Sequence, residues 1–272
     1  MSNSQTTALH YINELPFDAN AEIFRHYPAF KLGVTASVRH YAELLLPVLK
    51  SLIDTESGWV LSSPALASQT PAAANLLCWE LSDLYMRETR DSKELSVLDI
   101  EYNNEATASI DYAKLDLAER VTERQRLSSR LVPNAGFQGR PVVFINDICV
   151  TGTQQRALQQ YFDSVGAACV QWLYLIVVDP EIGNAQPEME WRINHAPFED
   201  LLRMVTGEEI QFTGKCVLKL MQLSIAEFDQ VWRLLNRERR KRLLELALRN
   251  GFDKMENFRE HVELIKRHFG VR

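Results

Sequence analysis

Asn146-Asp147 and, four positions on, Thr151-Gly152-Thr153-Gln154 are the residues of this 272-residue chain whose types and spacing can do chemistry. Thr151 to Thr153 offer successive backbone N–H groups, hydroxyl donors, and a Gly that lets the main chain come close to a ligand, which is the equipment for holding a phosphate. Asp147 brings a carboxylate able to accept from vicinal sugar hydroxyls and to assist a Mg²⁺ shared with the ligand. Asn146 adds a neutral acceptor beside it. Together these groups ask for a ribose 5-phosphate.

Such groups act only if flanking elements aim them. Val142 to Ile145 is a short uncharged run after the turn-like Gly139-Arg140-Pro141, and it reads as a strand buried on both faces. From Gln154 to Asp163, Ala157, Leu158, Tyr161 and Phe162 repeat on one side, the pattern of an amphipathic helix that Gly166 then stops. Residues 146 to 153 are therefore expected to form a strand-to-helix loop at the carboxyl end of a parallel strand. Open α/β sheets bind their ligands there, and the positive end of a helix suits an anion. A similar unit lies upstream: Gly58-Trp59-Val60-Leu61, the loop Ser62-Ser63-Pro64-Ala65, then Thr70-Pro71 as cap and first turn of a helix Ala72 to Tyr85. Cys169 to Asp179 reads as a further buried strand ended by Pro180.

Val142 to Gln154 resembles, over thirteen residues, the 5-phosphoribosyl-1-pyrophosphate motif of the type I phosphoribosyltransferases: four apolar residues, two acids, then Thr-Gly-x-Thr. Asn146 stands at the first acid and Gln154 at the last Thr. Val150 stands where enzymes acting on oxopurines often carry an acid, which argues against plain purine salvage. Phe30-Lys31-Leu32-Gly33 resembles the corresponding region of the ComF-like branch, and the Lys-x-Gly and Thr-Gly-Thr segments are similar to members encoded near stress-resistance genes.

The resemblance implies a type I phosphoribosyltransferase-like parallel sheet flanked by helices over residues 25 to 200, after an N-terminal segment 1 to 24 and before a helical extension 201 to 272. It implies displacement of pyrophosphate from C1 of phosphoribosyl pyrophosphate by a nitrogen nucleophile, or the reverse, with Mg²⁺ as cofactor. Asn146 and Asp147 would hold ribose, with Asp147 meeting the metal through the ligand. Val150, Thr151, Gly152, Thr153 and Gln154 would hold the 5-phosphate, and Ser62, Ser63, Pro64 and Ala65 the pyrophosphate, with Lys31 in reach of it. Trp191 and Asn194, in the segment where such enzymes build a hood, would stack on and hydrogen-bond a base. The polar stretch 103 to 130 is placed to be a lid, with Lys114 and Arg120 as catalytic cations and Tyr112 and Arg124 beside them; a surface helix Leu115 to Leu131 is the competing reading.

Composition bounds the remaining choices. At 46% hydrophobic residues the chain can bury one large core. Its four cysteines lack paired short spacing and its six histidines lack ligand spacing, so neither a disulfide framework nor a zinc site is expected. No basic leader or membrane-length apolar run is present, and a cytoplasmic protein is expected. From Arg233 to Arg272 there are 12 Lys/Arg against 6 Asp/Glu, leaving 18 against 30 for the rest. This tail reads as helices, with Ser224-x-x-Glu227 opening Ile225 to Leu235, then Glu238 to Arg249, then a last helix from Asp253. A cap on the core or a homodimer contact suits it better than nucleic acid. A regulator that senses phosphoribosyl pyrophosphate or a nucleotide without turnover is the second functional reading.

Overall fold

The computed structural model describes residues 4–18, 21–53, 58–66, 70–89, 95–103 and 115–269. Five strands, β1 (Gln5–Ile12), β2 (Val60–Ser62), β3 (Ser96–Val97), β4 (Pro141–Cys149) and β5 (Cys169–Val178), form one sheet in the order β1-β5-β4-β2-β3. Every strand pairing is parallel. Parallel sheets are covered on both sides, which is why β4 and β5 read as continuous apolar runs rather than alternating ones. Val143 and Ile145 join Leu173 and Leu175 under helices α3 (Thr35–Leu52) and α4 (Ala73–Thr89), where Tyr41, Leu45, Leu77 and Leu81 are fully buried. On the opposite face Val142, Phe144 and Trp172 meet Leu158, Tyr161 and Phe162 of α6 (Thr153–Ser164). Helix α5 (Leu117–Ser128) lies against α6.

Two expectations change. The segment read as preceding the domain supplies its edge strand: β1 pairs with β5 from Gln5 opposite Gln171 to Ile12 opposite Val178. Its side chains are mostly half-buried, as an edge allows, and that polarity hid it. Strand β4 also runs past Ile145 through Asn146 and Asp147 to Cys149, because its partner β5 continues alongside as far as Val177. The acid pair is thus strand rather than loop. Only Val150 to Gly152 turn the chain into α6.

Short helices α1 (Glu22–Arg25) and α2 (Tyr27–Leu32) precede α3, and α7 (Pro180–Ala185) and α8 (Met189–Ile193) follow β5. From there α9 (Phe198–Gly207), α10 (Gly214–Met221), α11 (Ile225–Leu234), α12 (Arg237–Arg249) and α13 (Glu256–Phe269) bury a second core around Val217, Phe228, Trp232, Leu246 and Val262. The Ser224–Glu227 capping box is present. Asp253, expected to start the last helix, lies instead in a single 3₁₀ turn (Phe252–Lys254), and Glu256 is the first helical residue. In the basic run, Arg239 donates to the Val205 carbonyl at 2.8 Å, and Arg240 donates to the Trp232 carbonyl at 2.9 Å while lying over that indole. These two guanidiniums close helix ends of the second core.

Candidate functional site

Alternation along β4 sends Asn146 and Asp147 to opposite faces of the sheet, and the carboxyl end of the strand lets both reach one cavity of about 280 Å³. Val150, Thr151, Gly152, Thr153 and Gln154 line it from the turn into α6, Pro64 and Ala65 from the loop after β2, Lys31 from α2, Glu190 from α8, Arg120 and Arg124 from α5, and Tyr102 from the segment after β3. The cavity sits where the loops after β2 and β4 diverge around the sheet.

The turn into α6 is built by its residue types. Gly152 caps the helix in the left-handed region at φ 66°, which a side chain would strain. The Thr151 and Thr153 hydroxyls are buried and hydrogen-bonded to each other. They stand at the N-terminal end of a twelve-residue helix, whose unpaired N–H groups favour an anion. Helix α7 then presses on the turn: a Cβ on Gly183 would lie 1.8 Å from the Val150 carbonyl oxygen, so only Gly fits there. Gln154, the departure from the family's Thr, accepts from Asn146 at 3.3 Å and from Arg124 at 3.2 Å. It thereby ties strand, turn and α5 together.

Asp147 has a crowded environment. Its Oδ2 accepts from the Lys31 ammonium and from the Tyr27 hydroxyl at 3.2 Å, and its Oδ1 from the Ile148 N–H at 2.9 Å. Lys31 also donates to Glu190 at 3.0 Å. The Lys31, Asp147 and Glu190 side chains are only 13%, 8% and 14% exposed. Burial works against the charge on Lys31, but Asp147 and Glu190 outweigh it and hold the ammonium above its ordinary range. Burial likewise works against the Glu190 carboxylate, yet Lys31, then Lys215 and Arg120, bring it below its ordinary value. Burial and the adjacent Asp147 push the Tyr27 phenol well up, so it remains a donor.

The other expected residues divide. Arg120 lines the cavity but is 2% exposed, its guanidinium donating to the Leu115 carbonyl at 3.0 Å and to that of Pro187. Ser62 and Ser63 are buried beneath the loop: Ser62 donates to the Leu98 carbonyl at 2.8 Å, and Ser63 accepts from Asn75 at 2.9 Å. They shape the loop, and Pro64 and Ala65 face the cavity. Trp191 is 39% exposed with its ring against His195, and Asn194 is fully buried; neither lines the cavity. The stretch expected to be a lid contains α5, opened by an Asp116–Glu119 capping box, while Tyr112 and Lys114 lie outside the described residues.

Tyr27, Asn75 and Glu190 had no local signal. Each acts through a partner between 12 and 159 positions away, which no spacing rule captures.

The donor set can be tested against the Mg²⁺ that the resemblance implies. Magnesium needs near-octahedral oxygen donors with free lone pairs. Three carboxylates line the cavity: Asp147 and Glu190 share Lys31, and Glu123 is held by Arg126 at 2.6 and 2.7 Å. No cluster of three or more His, Cys, Asp or Glu suited to a metal occurs among the described residues. These groups do not fit a Mg²⁺ held by the protein alone, and Asp147, expected to meet the metal only through the ligand, has both oxygens engaged by Lys31, Tyr27 and Ile148. No helix among the described residues is long and apolar enough to cross a membrane.

Residues 4–265 match the family model described as PRTase ComF-like. Among solved structures, the chain is similar to a hypoxanthine phosphoribosyltransferase from Staphylococcus aureus at 11% identity and TM-score 0.31, covering 53% of this chain and 65% of that one. It is also similar to a variant of the Trypanosoma cruzi hypoxanthine phosphoribosyltransferase complexed with the product IMP, at 13% identity and TM-score 0.32, covering 55% and 76%. No curated protein matches the chain.

Proposed function

The chain belongs to the ComF-like phosphoribosyltransferase family, and from that premise we propose that it binds 5-phosphoribosyl-1-pyrophosphate, or a nucleotide made from it, in the cavity at the end of β4. Thr151 to Gln154 hold the 5-phosphate on the N-terminus of α6, Asn146 and the Lys31–Asp147 pair face the ribose, and Pro64 and Ala65 present the loop after β2 to the pyrophosphate. Arg124 and, from beneath the surface, the carbonyl-bound Arg120, both on α5, supply positive charge for the departing pyrophosphate. Transfer consists of breaking the bond from C1 to the pyrophosphate oxygen, which leaves with the electron pair, while a nitrogen nucleophile bonds to C1. The site contributes placement and charge rather than a covalent intermediate.

The observation that carries this reading is the convergence of a buried Thr-Gly-Thr turn, a helix N-terminus and the Asn146–Asp147 strand end on one cavity. Titration calorimetry with phosphoribosyl pyrophosphate tests it. Micromolar binding that Thr151→Val weakens about 10- to 100-fold, the worth of one hydrogen bond to a charged group, is the expected result. Heat signals indistinguishable from buffer with a folded protein would sink it.

Prior engagement of Asp147 by Lys31 and of Asn146 by Gln154 favours a second reading, a regulator that senses the ligand without turnover. Release of pyrophosphate with candidate bases separates the two: binding without release identifies the sensor.

A further inference from the structure

Lys31 occupies the position around which the remaining charges are arranged. Its helix ends at Gly33, in the left-handed region at φ 93°, where a Cβ would lie 2.0 Å from the Gln211 carbonyl oxygen. Its own carbonyl accepts from the Thr213 hydroxyl at 2.7 Å. The backbone beneath the side chain is thus clamped from the C-terminal unit. Out of this support the ammonium reaches Asp147 on β4 and Glu190 on α8, at the edge of the core that Tyr27, Ile148 and Met189 share. An ammonium carries three N–H donors. Two are taken by the carboxylates, and the third is available to the cavity that Lys31 lines.

We propose that the Lys31 ammonium stands in for the divalent cation at this site, so that the phosphoribosyl ligand binds without Mg²⁺; this rests on the phosphoribosyl reading above. A cation next to the ribose and pyrophosphate has to be anchored by acidic groups and has to present positive charge to the ligand. Lys31 meets both requirements, with Asp147 and Glu190 as anchors and a donor left over. A second cation brought to the same carboxylates would sit against the ammonium in a poorly solvated pocket, where like charges repel strongly. Glu123, the other cavity carboxylate, is already engaged by Arg126. The Asn at position 146, in place of an acid, removes a further charge that a metal would use.

The test compares binding of phosphoribosyl pyrophosphate by calorimetry in EDTA and in MgCl₂, using the full chain and Lys31→Ala, alongside a Mn²⁺ titration of the ligand-free proteins followed by electron paramagnetic resonance. For the native chain the expected Kd in EDTA is within about threefold of that in Mg²⁺, with no Mn²⁺ uptake. For Lys31→Ala, affinity in EDTA falls at least about tenfold, Mg²⁺ recovers part of it, and Mn²⁺ binds, because Asp147 and Glu190 are released. Native binding that appears only with Mg²⁺, or Mn²⁺ uptake by the native protein, overturns the substitution of ammonium for metal and leaves the phosphoribosyl site standing. Absence of binding in both buffers overturns that site and this inference together. Should Lys31→Ala fail to fold, the native comparison and the Mn²⁺ titration still decide.

Discussion

Asp147 joins strand β4 to helix α2 through Lys31 and Tyr27, and the same lysine joins both to α8 through Glu190. Removing one partner of a buried pair leaves the other without compensation, so Asp147→Ala is expected to lower unfolding free energy by about 3 kcal/mol, measured by urea denaturation. The pair also dictates a pH dependence. The folded-state pKa of Glu190 lies below the ordinary 4.5, so its contribution is complete above that value and is lost as pH falls through the folded value. The Lys31 pKa is raised, so its contribution is complete below the ordinary 10.5 and is lost only on raising pH through the higher folded value. Stability should be nearly flat between about pH 6 and 9 with respect to this pair and fall in acid, with Glu190→Gln shallower below about pH 4.5. An acid limb of equal slope in the variant would show that Glu190 is not part of the network.

At the scale of elements, β4, the Val150 to Gly152 turn and α6 act as one unit whose geometry is set from outside by α7. The 1.8 Å clearance between a Cβ at position 183 and the Val150 carbonyl involves backbone, which cannot swing away as a long side chain would. Gly183→Ala must therefore move α7 or the turn. A cost of about 1–3 kcal/mol in stability is expected, together with at least about a tenfold loss of affinity for phosphoribosyl pyrophosphate. Unchanged binding would mean that the turn does not carry the phosphate. The neighbouring contact at Gly152 behaves differently: a Cβ there would meet only the end of Arg156 at 3.0 Å, and the penalty of an Ala is the positive φ itself, about 1 kcal/mol. Helix and strand placement at this scale was largely readable. The one-sided spacing of Ala157, Leu158, Tyr161 and Phe162 and the stop at Gly166 mark α6, and the Ser224 and Glu227 pattern marks α11, because these signals are local. The end of β4 was not readable, since pairing with β5, and not any preference of Asn146 or Asp147, keeps the chain extended to Cys149.

For the whole molecule, the sheet unit and the C-terminal helices meet at the segment that ends α2. Val34 bridges Ile210, the Gln211 N–H donates to the Gly33 carbonyl at 2.9 Å, and Leu32 and Val34 are buried in the second core. A second tie runs from Asn250 to the Thr70 hydroxyl at 3.0 Å. Gly33→Ala, forced into positive φ against the Gln211 carbonyl, should loosen this junction: amide exchange at residues 209–213 is expected to accelerate at least about tenfold, while the central strands stay protected. Uniform exchange across both units would instead show that they open together. The Thr-Gly-Thr turn, the strand and helix around it, and the family they belong to were determined by the sequence alone, because they depend on residue types a few positions apart. Only the tertiary structure decided that Gln5–Ile12 is a strand of the sheet, that Ser62 and Ser63 point beneath their loop, and that Asp147 and Glu190 converge on Lys31. Those outcomes depend on which distant surfaces bury against each other, and charge pairing at a buried site has no period that a linear chain displays.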